Sequence, residues 1–377
     1  MVEMFFSVLI LTLLTFCFRV ALSFGIAGMF RKVIRNLILI ICLIVLCSAP
    51  ALDEAKAWTF AVIGDSRAKD HKDPEHPGVN WKVLRNIAEG IDDIKPKVDL
   101  VIFTGDLILG GNSGHQEKYE DWANAMIPIL NSNIPIYTVR GNHEEWGDPN
   151  ATEWRKFVRK YLPNLLKLRG SPKGEELCTY RFTHKNALFI SVDEYFHRKG
   201  KKHTINQAWL NKQLESNDRN THPHIFVYSH TPAFKVSGRN SHDCPGSGST
   251  GALYCDKTVR DKLWTSLRDN GVRVYFCGHV HFYTANKIKN YQPQLYQIVN
   301  GLGGAGLDEY HANVDKDHVI YGEHHSIVEA KNIGGHYGYN MVHVDGNKVR
   351  IDLMVWHNTK KYWETKKGIY KGSYTVN

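Results

Sequence analysis

The stretch that decides the fold is Asp99-Leu100-Val101-Ile102-Phe103-Thr104-Gly105-Asp106. An apolar run typical of a buried strand ends in a glycine and then in a carboxylate. Upstream, the apolar run 58–64 ends in the same way and is followed by Asp65. Apolar residues recur at helical spacing between residues 81 and 91, which predicts a strand–helix–strand unit. Ligands of open α/β sheets bind at the carboxyl ends of strands, so both carboxylates stand where a ligand would lie.

Three further apolar runs end in residues that can bind a metal. These runs are 134–140, 224–229 and 272–277. Together the five strand ends carry Gly64-Asp65, Gly105-Asp106, Gly141-Asn142-His143-Glu144, Ser229-His230 and Gly278-His279-Val280-His281. At four of them a glycine precedes the ligand, which we interpret as freedom for the backbone to turn sharply. Mixed carboxylate, amide and imidazole ligands favour Zn, Mn or Fe over Ca.

This ordered series of motifs resembles the calcineurin-like metallophosphoesterases, within the purple acid phosphatase-like superfamily. The resemblance extends from Asp65 to His281. It implies an α/β fold in which a central β-sandwich of two mixed sheets is flanked by helices, with a metal site at the C-terminal ends of strands. It also implies a metal-dependent phosphoric ester hydrolase.

The resemblance further implies a dinuclear centre. Asp106 would bridge both metals, which we expect to be Mn, Zn or Fe. Asp65 and His281 would bind the first metal. The remaining ligands, which would bind the second metal, are Asn142, His230 and His279.

The resemblance also assigns a reaction to this centre. A metal-bound hydroxide would attack a phosphate mono- or diester, and two metals would clamp the phosphoryl oxygens. His143 would act as general acid at the leaving group or stabilise the transition state, and Glu144 would orient it. We expect no phosphoenzyme, because no Ser, Thr or Cys nucleophile accompanies the metal motifs.

The first motif departs from the family pattern. Many members carry Asp-x-His there, whereas this chain has Asp65-Ser66-Arg67. Purple acid phosphatases use a tyrosine three residues after the second-motif aspartate, where this chain has Leu109. The first metal therefore keeps three clear protein ligands, which leaves its identity and occupancy open. We interpret Arg67 as a residue that points at the substrate phosphate, because a guanidinium binds phosphate with two parallel hydrogen bonds.

Two other functions compete with hydrolysis. Residues 301–306 match G-x-G-x-x-G after a predicted strand, which would suit a nucleotide-cofactor oxidoreductase. Residues 307–311 make a poor helix start, however, so we predict a turn near the site and no nucleotide cofactor. The second competitor is a non-catalytic metal-binding or surface-interaction module on the same fold, supported only by the thinned first site.

The N-terminal residues differ from the rest of the chain. Residues 29–57 have the basic, apolar and small-residue regions of a secretory signal peptide or a membrane anchor. Residues 1–28 would be either an over-extended gene start or a further membrane segment. Both readings place a single phosphoesterase domain, residues 58–377, outside the cytoplasmic membrane, periplasmic or extracellular, with membrane contact only through the N-terminal segment.

Composition and cysteine usage add weaker constraints. A hydrophobic fraction of 43% and a charged fraction of 23% exclude a disordered chain and a polytopic membrane protein. The net charge of +9 favours anionic partners only weakly, because it is spread along the chain. The resemblance implies a phosphorylated substrate, and we predict no specific nucleic-acid binding. In an exported protein, Cys244 and Cys255 are the expected disulfide pair, whereas Cys277 is expected to be a buried thiol.

Overall fold

The computed structural model describes residues 57–69, 74–198, 203–236, 252–288, 295–308, 321–326, 336–357, 362–366 and 374–375. Contacts divide the chain between Lys56 and Ala57, and every described residue belongs to the second unit. The predicted N-terminal segments 1–28 and 29–57 thus lie outside the described residues, apart from residue 57. A search of the described helices finds none with the length and apolar character needed to cross a membrane.

Fourteen strands are described. In chain order they are β1 (Trp58–Ile63), β2 (Leu100–Phe103), β3 (Ile136–Thr138), β4 (Tyr180–His184), β5 (Ala187–Ser191), β6 (His224–Tyr228), β7 (Val274–Cys277), β8 (Tyr283–Ile288), β9 (Tyr296–Asn300), β10 (Tyr321–Ser326), β11 (Gly338–Asp345), β12 (Lys348–His357), β13 (Tyr362–Lys366) and β14 (Tyr374–Thr375).

The strands form two mixed sheets, as predicted. The first has the order β13-β12-β11-β1-β2-β3, with β14 paired to β12, and β1, β2 and β3 run parallel. The second has the order β10-β8-β9-β7-β6-β5-β4, and β5, β6, β7 and β9 run parallel. The carboxyl ends of neighbouring parallel strands therefore open at one edge of each sheet, which is where the predicted ligands follow.

Helices flank the two sheets. In chain order the described α-helices are α1 (Trp81–Asp92), α2 (His115–Ala125), α3 (Ile127–Asn131), α4 (Asn142–Glu145), α5 (Thr152–Tyr161), α6 (Gln207–Glu215) and α7 (Lys257–Asp269). The sequence predicts one helix over residues 119–130, but the structure has two, α2 and α3. Pro128 explains the break, because proline lacks an N–H and fits only the first turn of a new helix.

Aromatic side chains form the core between the sheets. The Phe60 ring of β1 lies 5.2 Å from the Phe189 ring of β5 and 5.0 Å from the Phe226 ring of β6, measured between centroids. Both contacts are edge-to-face, the arrangement that the ring quadrupoles favour. A second apolar cluster lies between the second sheet and α6 and α7, and includes Leu210 and Trp264. The two sheets therefore pack against each other, and the second sheet also packs against α6 and α7. This packing fixes the strand ends relative to one another.

The cysteine predictions have separate outcomes. Cys277 is a buried free thiol, as predicted, and burial raises its pKa well above the ordinary value. Cys255 is disulfide-bonded. Its expected partner Cys244 lies outside the described residues, so the pairing stays a prediction.

Candidate metal centre

The predicted ligands come together where strands of both sheets end. Asp65, Asp106 and Asn142 follow β1, β2 and β3 of the first sheet, and His230 and His279 follow β6 and β7 of the second. Three of them have left-handed backbone dihedrals, with φ of +60° at Asp65, +52° at Asp106 and +72° at His279. Left-handed non-glycine residues are uncommon, and in proteins generally such strained backbone is found preferentially at functional sites. The chain leaves each of these strands in a conformation that turns the side chain into a common space.

The glycines before the ligands act mainly through their small size. Of the four, Gly105 alone lies in the left-handed region, at φ +91°. A Cβ on Gly141 would stand 2.2 Å from Asp106 Oδ1, and one on Gly278 would stand 2.2 Å from Asp65 Oδ2. The expectation of a sharp turn is therefore correct at Gly105. At Gly141 and Gly278 the reason is instead that a neighbouring carboxylate occupies the space of the missing side chain.

Three donor atoms of the predicted second metal site face one another. His230 Nε2 and His279 Nδ1 each lie 3.0 Å from Asn142 Oδ1, and the two nitrogens are 3.2 Å apart. Asp106 Oδ1 lies 3.3 Å from His230 Nε2. Ligand atoms that share one zinc-sized ion stand roughly 3–3.5 Å apart, given metal–ligand distances of about 2.0–2.2 Å. The four side chains therefore fit a shared metal.

The tautomer of His230 supports the same assignment. Its Nδ1 lies 2.8 Å from the Thr104 carbonyl oxygen, which can only accept, so Nδ1 carries the proton. In the neutral ring the lone pair is then on Nε2, which faces the oxygens of Asn142 and Asp106. Acceptors that face acceptors in a buried site are stabilised by a cation between them. A carbonyl that fixes the imidazole in this way is typical of metal-binding histidines.

The predicted first-site ligands also lie together. One ligand atom from each of Asp65, Asp106 and His281 falls within 4.8 Å of the others, and all three residues are buried. Both Asp65 oxygens accept from the His279 amide, at 3.0 and 2.9 Å. His281 Nδ1 donates to the Gly306 carbonyl at 2.8 Å, so the lone pair of the neutral ring is on Nε2. Two carboxylates and one imidazole form a donor set that suits Zn, Mn or Fe.

Arg67 lies against this first site. Its Nε is 3.4 Å from Asp106 Oδ2, and its Nη2 is 3.4 Å from His281 Nε2. The sequence predicts that Arg67 points at the substrate phosphate. In the structure its guanidinium contacts two predicted metal ligands, Asp106 and His281, and contact with substrate stays a prediction.

His143 stands beside the bridging carboxylate, with its Nε2 3.8 Å from Asp106 Oδ2. Its Nδ1 accepts from the Gly110 amide at 3.4 Å, so in the neutral ring the proton is on Nε2. Burial lowers the pKa of His143 to about 3, with a smaller opposing effect from Asp106. A neutral ring in this tautomer still presents an N–H toward the site.

Glu144 holds the loops that carry the ligands. Its Oε2 accepts from the amides of Asp106 and Gly141, at 2.8 and 2.7 Å, and its Oε1 accepts from the amide of Ile108 at 3.1 Å. The carboxylate is completely buried. Glu144 thus ties the end of β2 to the end of β3, and the predicted orienting effect on His143 would pass through the backbone of that loop.

The carboxyl groups of the site have divergent acidities. Burial, and then the charge of Asp106, raise the pKa of Asp65 well above its ordinary value. Burial would also raise that of Asp106, but His230, His143 and Arg67 outweigh it and hold its pKa at about 2. Burial and the Asp106 charge raise the pKa of Glu144 to about 8. Asp106 is therefore the carboxylate whose surroundings most favour the ionised form, as suits a ligand shared by two cations.

Supporting residues were missed by sequence reasoning. Buried Glu194 accepts from the Thr231 amide at 2.7 Å and from Ser229 Oγ at 3.1 Å, on both sides of His230. Asp308 Oδ2 accepts from the His281 amide at 3.0 Å. The signal for Glu194 was present, because it follows the apolar run of β5 at the same edge of the sheet. Asp308 carries no such signal, since a loop brings it to the site.

The glycine-rich segment 301–306 forms a turn near the site, as predicted. The amides of Gly303 and Ala305 donate to the carbonyls of Gly64 and Asp65, at 2.8 and 2.7 Å. Its Gly306 carbonyl is the acceptor that fixes His281. Among the described residues 301–308 no helix begins, so the dinucleotide pattern lacks the helix it requires.

A family model for calcineurin-like phosphoesterases matches residues 59–283. The chain belongs to the calcineurin-like phosphoesterase family. The match begins in β1 and ends in β8, so it contains every predicted metal ligand. The resemblance drawn from the motif series is thereby confirmed.

Individual relatives of this calcineurin-like chain are distant. It is 24% identical over 210 residues to the rat serine/threonine-protein phosphatase CPPED1, which is 54% of this chain and 60% of that protein. A PhoD structure superposes with a TM-score of 0.55 at 16% identity, over 82% of this chain and 68% of the other. A dimetal phosphatase of Danio rerio gives a TM-score of 0.51 at 14% identity, over 82% and 98%. At these identities the structures establish the fold alone, which confirms the predicted sandwich.

Proposed function

We propose that this chain is a metal-dependent phosphoesterase that hydrolyses a phosphate mono- or diester at a dinuclear centre. The observation that carries the proposal is the convergence of Asn142, His230 and His279, whose donor atoms lie 3.0–3.2 Å apart, with Asp106 3.3 Å from one of them. Membership in the calcineurin-like phosphoesterase family supports the reaction class.

The residues of the site would have separate roles in holding two metal ions. Asp65, Asp106 and His281 would hold one ion, and Asp106 with the three second-site ligands would hold the other. Bound metal ions would supply an activated water molecule and positive charge for the phosphoryl oxygens. Besides Asp106, the predicted ligands of the second ion are Asn142, His230 and His279.

His143 would donate the hydrogen bond of its Nε2–H to the phosphoryl group or the leaving oxygen. Its tautomer supports this role, because the Gly110 amide occupies Nδ1. Preorganised donors aimed at developing charge are a large part of enzymatic catalysis. Glu144 would keep the loop in place, since it holds the amides of Asp106 and Gly141.

The test compares p-nitrophenyl phosphate with bis-p-nitrophenyl phosphate, using purified protein supplied with Mn or Zn. We expect turnover of at least one ester, lost in Asp106→Asn and retained in the exposed control Asp345→Asn. The preferred ester separates a monoesterase from a diesterase. Equal rates in the wild type and Asp106→Asn, with metal bound, would refute hydrolysis and favour the non-catalytic metal-binding module.

We also propose that residues 58–377 act outside the cytoplasmic membrane. The support is the basic, apolar and small-residue pattern of residues 29–57. N-terminal sequencing of the mature protein should give a first residue after a small residue near position 51 or 57 if a signal peptide is removed. Recovery of the protein only from the cytoplasmic fraction would refute export.

A further inference from the structure

Backbone contacts hold Arg67 next to the predicted first metal site. Its backbone amide donates to the Asp106 carbonyl at 3.1 Å, and the residue forms a β-bridge with Val79. The side chain is 15% exposed, and its Nη1 donates to the adjacent Ala68 carbonyl at 3.0 Å. The backbone of Arg67 is therefore fixed, and its extended side chain places the guanidinium against the predicted ligands.

The guanidinium uses the same two atoms that a first-site metal would use. One is Asp106 Oδ2, 3.4 Å from Arg67 Nε. The other is His281 Nε2. Because His281 Nδ1 donates to the Gly306 carbonyl, the lone pair of the neutral ring is on Nε2. An arginine is always charged and only donates, so Nη2 at 3.4 Å is directed at that lone pair.

The second site is arranged differently. Its donor atoms on Asn142, His230 and His279 are turned toward one another at 3.0–3.2 Å. They are preorganised for an ion, whereas the first site already has a cationic side chain against two of its three ligands. The two sites share Asp106, but before metal binds a positive charge lies against the first site's ligands, whereas the second site's ligands face one another.

We propose that Arg67 is an internal cation that competes with the first metal, so that the second site fills first and the first site fills only when the guanidinium moves away. This inference rests on the proposed dinuclear function and deepens it. Once displaced, the guanidinium remains tethered two residues from Asp65, within the same site, where it is available to a phosphate oxygen. The departure from Asp-x-His thus exchanges a metal ligand for a competitor of the metal.

The test is metal binding without substrate. Chelator-treated full-length protein is titrated with Mn²⁺ or Zn²⁺ by calorimetry, and bound metal is counted by mass spectrometry after equilibrium dialysis. We expect two sites in the wild type whose Kd values differ by about tenfold or more, since like charges a few ångströms apart repel strongly in a buried site. Asp65→Asn should abolish the weaker site and so assign it.

Arg67→Met and Arg67→Gln remove the charge and should tighten the weaker site by about tenfold or more, with the tighter site unchanged. Arg350→Met, an exposed arginine on β12, should alter neither. Arg67 is replaced in two different ways so that a local folding defect in one variant does not decide the result. Thermal midpoints equal to that of the wild type would exclude such a defect. Unchanged affinity of the weaker site in both variants, or two equally tight sites in the wild type, would overturn the inference.

The binding test is separable from the proposed function. Metal binding that follows the expected order without ester hydrolysis would refute the phosphoesterase proposal and leave the role of Arg67 intact. Hydrolysis accompanied by the same metal affinities in the wild type and both Arg67 variants would do the reverse.

Discussion

A buried ion pair next to the candidate metal centre gives the most informative test of the fold. Arg140 Nε donates to Asp193 Oδ2 at 2.7 Å, and both side chains are completely buried. Arg140 directly precedes Gly141, which is followed by the predicted second-site ligand Asn142, and Asp193 follows β5. The pair thus fixes the ligand loop of the first sheet to a strand end of the second. Burial alone would lower the pKa of Arg140, but Asp193 raises it.

We expect Asp193→Asn to lower the free energy of unfolding by about 3–5 kcal/mol, because it leaves the buried guanidinium without its counter-charge. The Asn oxygen can keep the hydrogen bond from the Tyr195 amide, 2.8 Å from Asp193 Oδ1. Its NH₂ group then faces the Arg140 Nε–H, donor against donor. The expected loss is a large part of the roughly 5–15 kcal/mol that stabilises a typical native domain.

Urea unfolding followed by fluorescence measures this difference, with the exposed Asp345→Asn as a matched control. The double variant Arg140→Met with Asp193→Leu removes both charges and should recover most of the loss, since apolar replacement of a buried pair is often neutral. A cost below about 1 kcal/mol for Asp193→Asn, or a double variant as unstable as the single one, would refute the reasoning.

Four further predictions concern the site itself. His143→Ala should lower kcat by about 10²–10⁴-fold while metal content stays the same, and loss of metal with activity would show a ligand role instead. Glu144→Ala leaves three buried amides without an acceptor, at about 1–3 kcal/mol each, so urea unfolding should show a loss of at least about 3 kcal/mol, against about 0.5 or less for the exposed Glu215→Ala. Asp308→Ala should weaken first-site metal affinity about 10–100-fold and spare the second site, whereas equal weakening of both would contradict its assignment to His281. Chelation should lower the thermal midpoint, because a metal at 100 times its Kd adds about 2.7 kcal/mol of stability; identical midpoints with and without chelator would argue against metal binding by the native state.

Strand-end motifs were predictable because two local signals coincide in them. Each ligand follows an apolar run, and a strand that is buried on both faces reads as such a run. The bounds of β1, β2 and β6 accordingly match their runs to within a residue or two. The hairpin of β11 and β12 was also predictable, because Asp345-Gly346-Asn347 lies between two alternating segments.

Contacts made by loops were not predictable from local patterns. Asp308 reaches His281 from a segment 27 residues away, and the Gly306 carbonyl fixes the same imidazole. The position of Arg67 against Asp106 and His281 likewise depends on how two sheets meet. Sequence patterns identify which residues follow a strand, but the distances between strands of different sheets arise only from packing.

The division of ligands between the two sheets connects stability with function. Of the predicted ligands, Asp65, Asp106 and Asn142 follow strands of the first sheet, and His230, His279 and His281 follow strands of the second. No single sheet carries either complete ligand set, so a bound ion would link the layers at their open edge. The left-handed backbone at Asp65, Asp106 and His279 costs conformational energy, which must be offset by surrounding contacts such as those of Glu144 and the His279 amide. A variant that loosens the packing between the sheets would therefore separate the two halves of the site even when every ligand is still present.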